Sequence, residues 1–110
     1  RSQPKKDPEN FERDTDTAKY LGLLQQLRDQ GEEGEKAIQE FLRSGEDIRF
    51  GDGYSMSNGR LTTFPSLRIA ALESLFNLKD PVAMETNTEV LRQTSDGMEL
   101  WLASRNLEKI

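Results

Sequence analysis

The sequence predicts an all-α domain of about five helices in antiparallel pairs, a short αα solenoid with a small β-hairpin-like insertion between helices 2 and 3. Three observations carry that expectation. Apolar residues recur at helical spacing in five separate stretches. The stretches are punctuated by Gly31, Gly45, Asp80-Pro81 and Asp96-Gly97, residue types that stop or cap helices. Between the second and third stretches the pattern changes to alternation around Asn58-Gly59, the strongest two-residue hairpin signal.

Residues 1–15 hold two prolines, mixed charge and one aromatic, Phe11, and are expected to form a mobile tail because they bury too little to offset ordering entropy. The domain then covers 16–110: a first helix pair (16–44), an inserted loop (45–64), a second pair (65–94) and a terminal helix (95–110). The first helix is expected from about Asp16 to Gln30, capped by Thr15, Asp16 or Thr17, with Tyr20, Leu21, Leu24 and Leu27 inward and Leu23 widening the buried face. A Gly-Glu-Glu-Gly turn leads to a second helix over 34–44, with Ala37, Ile38, Phe41 and Leu42 inward. Pro65 suits the first turn of a third helix, where its missing N–H costs nothing. That helix has almost no polar face through Leu78, which marks it as central. The fourth helix, about 81–94, turns Ala83, Met84, Val90 and Leu91 inward, with Thr86 and Asn87 diluting the stripe. The fifth, about 96–109, carries Met98, Leu100, Trp101, Leu102 and Leu107.

The helices also repeat. Residues 20–31 align with 68–79, placing Leu21 on Ile69, Leu24 on Leu72 and Leu27 on Leu75; 40–47 then aligns with 89–96 after one inserted residue. The fifth helix looks like the first half of a third unit. In LRIAALESLFNLKDPVAMETNTEVLRQTSD, with its Arg-x-Ala-Ala-Leu core, Asp-Pro turn and closing Leu-Arg, the chain resembles HEAT-type α-solenoid repeats over about residues 17–109. Two departures stand out: the first unit lacks the alanine pair, and the connection between units is long. A plain five-helix bundle is the alternative. The resemblance implies a scaffold that presents a helical face to a protein or peptide, with no catalytic residues to transfer. Two and a half units suggest either self-association, since terminal repeats need polar caps, or a piece of a longer array.

Residues 45–64 are unusually long for a helix–helix connection and are not low-complexity. Tyr54–Ser57 and Arg60–Thr63 flank Asn58-Gly59, with Met56 and Leu61 expected on one face and Tyr54 and Thr63 nearby. Ile48, Phe50 and Phe64 are expected to tuck the loop's two ends against the core. Two interpretations stay open. In one, Arg49, Asp52, Tyr54, Asn58 and Arg60 project toward a partner from an ordered loop on a rigid scaffold. In the other, the hairpin covers the edge of a helix pair, with Tyr54 and Phe50 as plugs and the arginines paired with the acids of 29–47. Trp101 fits a core position by its helical spacing; exposed, it would be a binding hot spot.

Composition narrows the function. Apolar residues are 34% and charged residues 32%, so the core is economical. The net charge of −5 argues against nucleic acid and anionic membrane, which both require basic patches. Residues 29–47 alone carry seven acids and two bases, a solvated face or a docking patch for a basic partner. There is no cysteine and no histidine, which removes thiolate ligands, the commonest general base and every histidine-dependent triad. Calcium is disfavoured too, because Asp47 and Asp52 lack the spacing of an EF-hand loop. No apolar run is long enough to span a membrane. The chain starts at Arg1 rather than Met, which fits a removed export signal or a sequence that begins mid-protein, and the absence of cysteine suits a cytoplasmic or an exported protein. The expectation is a non-enzymatic module without cofactor or metal. It would bind a protein or peptide through its helical face or the 48–64 loop, self-assemble as a homodimer through the terminal helix, or hold a small ligand at the loop.

Overall fold

The computed structural model describes residues 8–108, with side chains from Asp16 onward. Among them are five helices, α1 (Pro8–Asp29), α2 (Glu32–Ser44), α3 (Leu67–Ser74), α4 (Pro81–Gln93) and α5 (Gly97–Leu107). A two-stranded antiparallel hairpin, β1 (Ser55–Ser57) and β2 (Arg60–Thr63), lies between α2 and α3. α1 and α2 form a helical hairpin; α3 packs against α1 on one side and α5 on the other, while α2 packs against α4 and α4 against α5. α1, α3 and α5 thus pack in a row with α3 at its centre, and α2 and α4 lie against that row through α1 and α5, while α3 and α4, expected as a pair, barely touch.

α1 begins within the segment expected to be a tail. Pro8 takes its first position, which suits proline, and the chain runs helical through the expected caps at 15–17. Residues 1–7 of that tail lie outside the described residues. Among the described side chains of α1, Leu24 is buried, with Tyr20, Leu21 and Leu27 packed against the core; Leu23 points outward and does not widen the buried face.

The α1–α2 turn is tighter than a four-residue loop. Gly31, at φ 67°, reverses the chain and α2 starts at Glu32. Gly34 is therefore inside α2. A Cβ there would fall 1.7 Å from the carbonyl oxygen of Leu27, so glycine is what lets the helices meet backbone to backbone. Glu35, part of the acidic stretch, is buried rather than solvated.

Ser66, not Pro65, starts the third helix: its hydroxyl accepts from Ile69 N at 3.3 Å. The Pro65 carbonyl instead accepts from Phe50 N (2.9 Å) and Gly51 N (3.3 Å), and Leu67 N donates to Ile48 O (2.9 Å). These bonds bind the start of the inserted loop to its end. Phe50 and Leu61 join the core, with Ile48 and Phe64 against it. α3 ends a turn earlier than expected, at Ser74, and Asn77 (φ 66°) reverses the chain before Asp80, whose side chain caps α4 through Ala83 N at 3.0 Å.

Thr86 and Asn87 do not dilute the buried stripe of α4; they belong to it. Each satisfies its polar group on its own helix, Thr86 Oγ1 donating to Val82 O (2.7 Å) and Asn87 Nδ2 to Ala83 O (2.9 Å). Asn106 of α5 completes the cluster by donating to Asn87 Oδ1 (3.0 Å) and Leu72 O (2.9 Å), which fastens α3, α4 and α5 together. No helix among the described residues is long and apolar enough to cross a membrane.

Candidate interaction surface

The hairpin stands beside α5, and the two enclose a groove of about 410 Å³ lined by Tyr54, Met56, Leu61, Met98 and Trp101. Its geometry follows from local rules. Asn58 (φ 54°) and Gly59 (φ 77°) both adopt positive φ, the two-residue turn whose twist matches paired strands. That turn sets Met56 opposite Leu61 in the register. Leu61 is buried as the floor, whereas Met56 stands 45% exposed on the wall and Tyr54 53% exposed just before β1. On α5, Asp96 caps the helix by accepting from Glu99 N at 2.9 Å. This orients Met98 and Trp101, three residues apart and hence on one face, toward the hairpin. Trp101 is 44% exposed and Leu100, beside it in sequence, 46%. Trp101 is therefore not the core residue its spacing allowed.

A buried carboxylate holds the groove open. Glu73 of α3 forms ion pairs with Arg60 of β2 and with Arg105 of α5, the latter at 2.8 Å. Arg105 also donates to Gly59 O at 3.1 Å, tying the hairpin turn to α5. The Arg60 guanidinium lies 4.0 Å and that of Arg105 4.5 Å from the Phe76 ring centre, and Arg105 lies 5.5 Å from that of Trp101. Two cations share one carboxylate, and the aromatic faces take up the remaining charge.

The sequence-predicted residues thus separate. Tyr54 and Trp101 meet at the groove. Asn58 is the turn itself, exposed on the tip. Arg60 does not project toward solvent alone; it is committed to Glu73 and Phe76. Nor do the loop arginines pair with the acids of 29–47: Arg49 donates to Gly51 O at 3.2 Å. Arg49 and Asp52 line a neighbouring cleft of about 220 Å³, with Asp47, Asp96 and Glu99, that shares Tyr54 and Met98 with the groove. From sequence, Met56 reads only as a hairpin-face residue and Met98 only as part of the helix stripe, and Glu73 and Arg105 do not stand out as site residues. Met98, Trp101 and Arg105 do recur at i, i+3, i+7, a signal available in the sequence.

The remaining polar clusters are structural. Glu99 receives both Arg68 Nε (2.9 Å) and Nη2 (3.0 Å), while Arg68 Nη1 donates to Leu42 O at 2.8 Å; together they lock α5 against α3 and the end of α2. A cleft of about 310 Å³ between α2, α4 and α5 contains that pair and Arg43, which binds Glu89 at 2.7 Å. No group of three carboxylates that could hold a metal ion occurs among the described residues. Set against protein-family models, curated proteins and solved structures, the chain matches none.

Proposed function

We propose that this protein is a non-enzymatic interaction module that docks a protein or peptide partner in the groove between its hairpin and α5. The observation that carries the proposal is the exposure of Tyr54, Met56 and Trp101 around one cleft. Aromatic residues and methionine are enriched at interface centres, and a groove braced by buried ion pairs loses little entropy when a partner docks. The α1–α2 hairpin and the row of α1, α3 and α5 favour a HEAT-like scaffold role, with the hairpin as an inserted recognition element. Glu73, Asp96 and Glu99 are engaged in caps and ion pairs, so no catalytic role is assigned to them. The test is partner capture by the wild type against a Trp101→Ser, Met56→Ser double variant of equal stability. Both side chains are exposed, so the fold should survive. Loss of a specific partner supports the proposal, and unchanged capture refutes it.

A second reading is favoured by Leu100 and Trp101, which leave α5 with an apolar outer edge. A second copy could cover that edge, making a homodimer through the terminal helix. Light scattering across a concentration series decides it: a concentration-independent monomer eliminates the dimer.

A further inference from the structure

The geometry points to the class of partner: an apolar peptide segment followed or preceded at close range by lysine or arginine. This inference rests on the docking role of the groove and adds the chemistry of its occupant. The groove does not end at Tyr54 and Met98. Those two residues also line the adjoining cleft, so the two depressions lie side by side across a shared wall as a composite trough with unlike halves. One half presents Met56, Leu61 and Trp101. The other presents Asp47, Asp52, Asp96 and Glu99 against the single lining cation, Arg49. Adding Arg68, which is bound to Glu99, still leaves four carboxylates facing two guanidinium groups.

The surplus is available to a ligand. Asp52 is exposed and forms no ion pair with a described residue. Asp47 is also exposed, and among the described residues its carboxylate accepts from backbone N–H groups, those of Ile48 (2.8 Å) and Arg68 (2.9 Å). Asp96 likewise accepts from a backbone N–H as a cap. None of these bonds neutralises a carboxylate, so negative potential persists at that end of the trough. At the other end, Arg60 and Arg105 with one Glu73 leave a slight positive excess that disfavours a cation beside Trp101. The trough is therefore polar in direction. It places an apolar side chain against Trp101 and Met56 and a cation against Asp52 and Asp47, and it rejects acidic segments by like-charge repulsion.

Trp101 is the chain's one tryptophan, so its emission reads the apolar half directly. The probes are capped synthetic peptides with a leucine-phenylalanine pair adjoining two lysines, made in both orders. Matched controls replace the lysines by glutamates or the apolar pair by serines. In the full chain, a lysine peptide in one order should shift Trp101 emission saturably, and the glutamate version should bind at least about tenfold more weakly. Asp52→Lys should weaken the lysine peptide about fivefold or more and strengthen the glutamate peptide. Lysine and glutamate peptides of equal affinity, or an indifferent Asp52→Lys variant, would overturn the inference while leaving the docking role intact. If no peptide perturbs Trp101 but the Trp101→Ser, Met56→Ser variant loses its captured partner, the peptide chemistry is wrong and the groove stands. If capture is also unchanged, both fail.

Discussion

Replacing Glu35 with glutamine should make this protein more stable at pH 8 and leave it unchanged near pH 4. Glu35 sits in the first turn of α2 at 4% exposure, and its Oε1 has no hydrogen-bond partner. Its neighbour is Asp80, the cap of α4. Burial pushes the Glu35 carboxyl from 4.5 to about 7, with further upward contributions from the hydrogen bond and charge of Asp80 and from Glu32; Arg28 opposes them. Burial acts to raise Asp80 as well, but the hydrogen bond from Glu35 and the backbone N–H groups of the α4 first turn bring its pKa below the usual value. The shared proton therefore rests on Glu35, which donates to an ionised Asp80.

The direction of the pH effect follows by linkage. Below pH 4.5 Glu35 is protonated in both folded and unfolded chains, and its contribution to stability is complete. Between 4.5 and about 7 the unfolded chain releases the proton while the folded chain keeps it, so stability falls as pH rises. Above about 7 the loss is complete. At about 1.4 kcal/mol per pKa unit the effect is at most about 3 kcal/mol. Glutamine keeps a donor for Asp80 without the ionisation. Urea unfolding of both proteins at pH 4, 6 and 8 measures the difference, and subtracting one from the other removes the titrating groups that are not coupled to Glu35. Equal stabilities at pH 8, or a gain that persists at pH 4, would refute the account of the pair.

Other consequences are equally specific. Gly34→Ala drives a methyl group into the Leu27 carbonyl, so α1 and α2 must separate; thermal unfolding should show a loss of about 2–4 kcal/mol. Glu73→Gln leaves Arg60 and Arg105 without their shared carboxylate and should cost about 3 kcal/mol. Amide exchange would rise first in the hairpin, and uniform exchange across the domain would contradict its role as the hairpin's anchor. Gly59→Ala, at φ 77°, should cost about 1 kcal/mol and fray Met56 from Leu61, visible as lost cross-strand contacts in NMR spectra.

The elements that were legible in sequence are those written in local chemistry. Gly31 and Gly45, Asp80-Pro81, Asp96 and Asn58-Gly59 each mark a boundary through the conformation or cap they impose within a few residues. What was not legible depends on which helices become neighbours. Gly34 reads as a turn glycine until α1 is seen to press on it. Thr86 and Asn87 read as polar breaks because their satisfaction comes from carbonyls one turn back and from Asn106 on another helix. Leu23 reads as core because its type suits one, yet it stands exposed among the described residues. The same limit applied at the candidate surface. Tyr54 and Trp101 were visible as unusual residues, but their meeting at one groove depends on Glu73 drawing Arg60 and Arg105 together from different elements. Arg60 was misplaced for that reason: its partner lies thirteen residues away on α3.

The account rests on Trp101 lining an open groove, and acrylamide quenching of its emission tests that most directly. In the dilute, folded chain the emission should be red-shifted and readily quenched, and it should become protected when a captured partner is added. Blue-shifted emission that resists acrylamide in the unbound monomer would place Trp101 in the core and contradict the interaction surface.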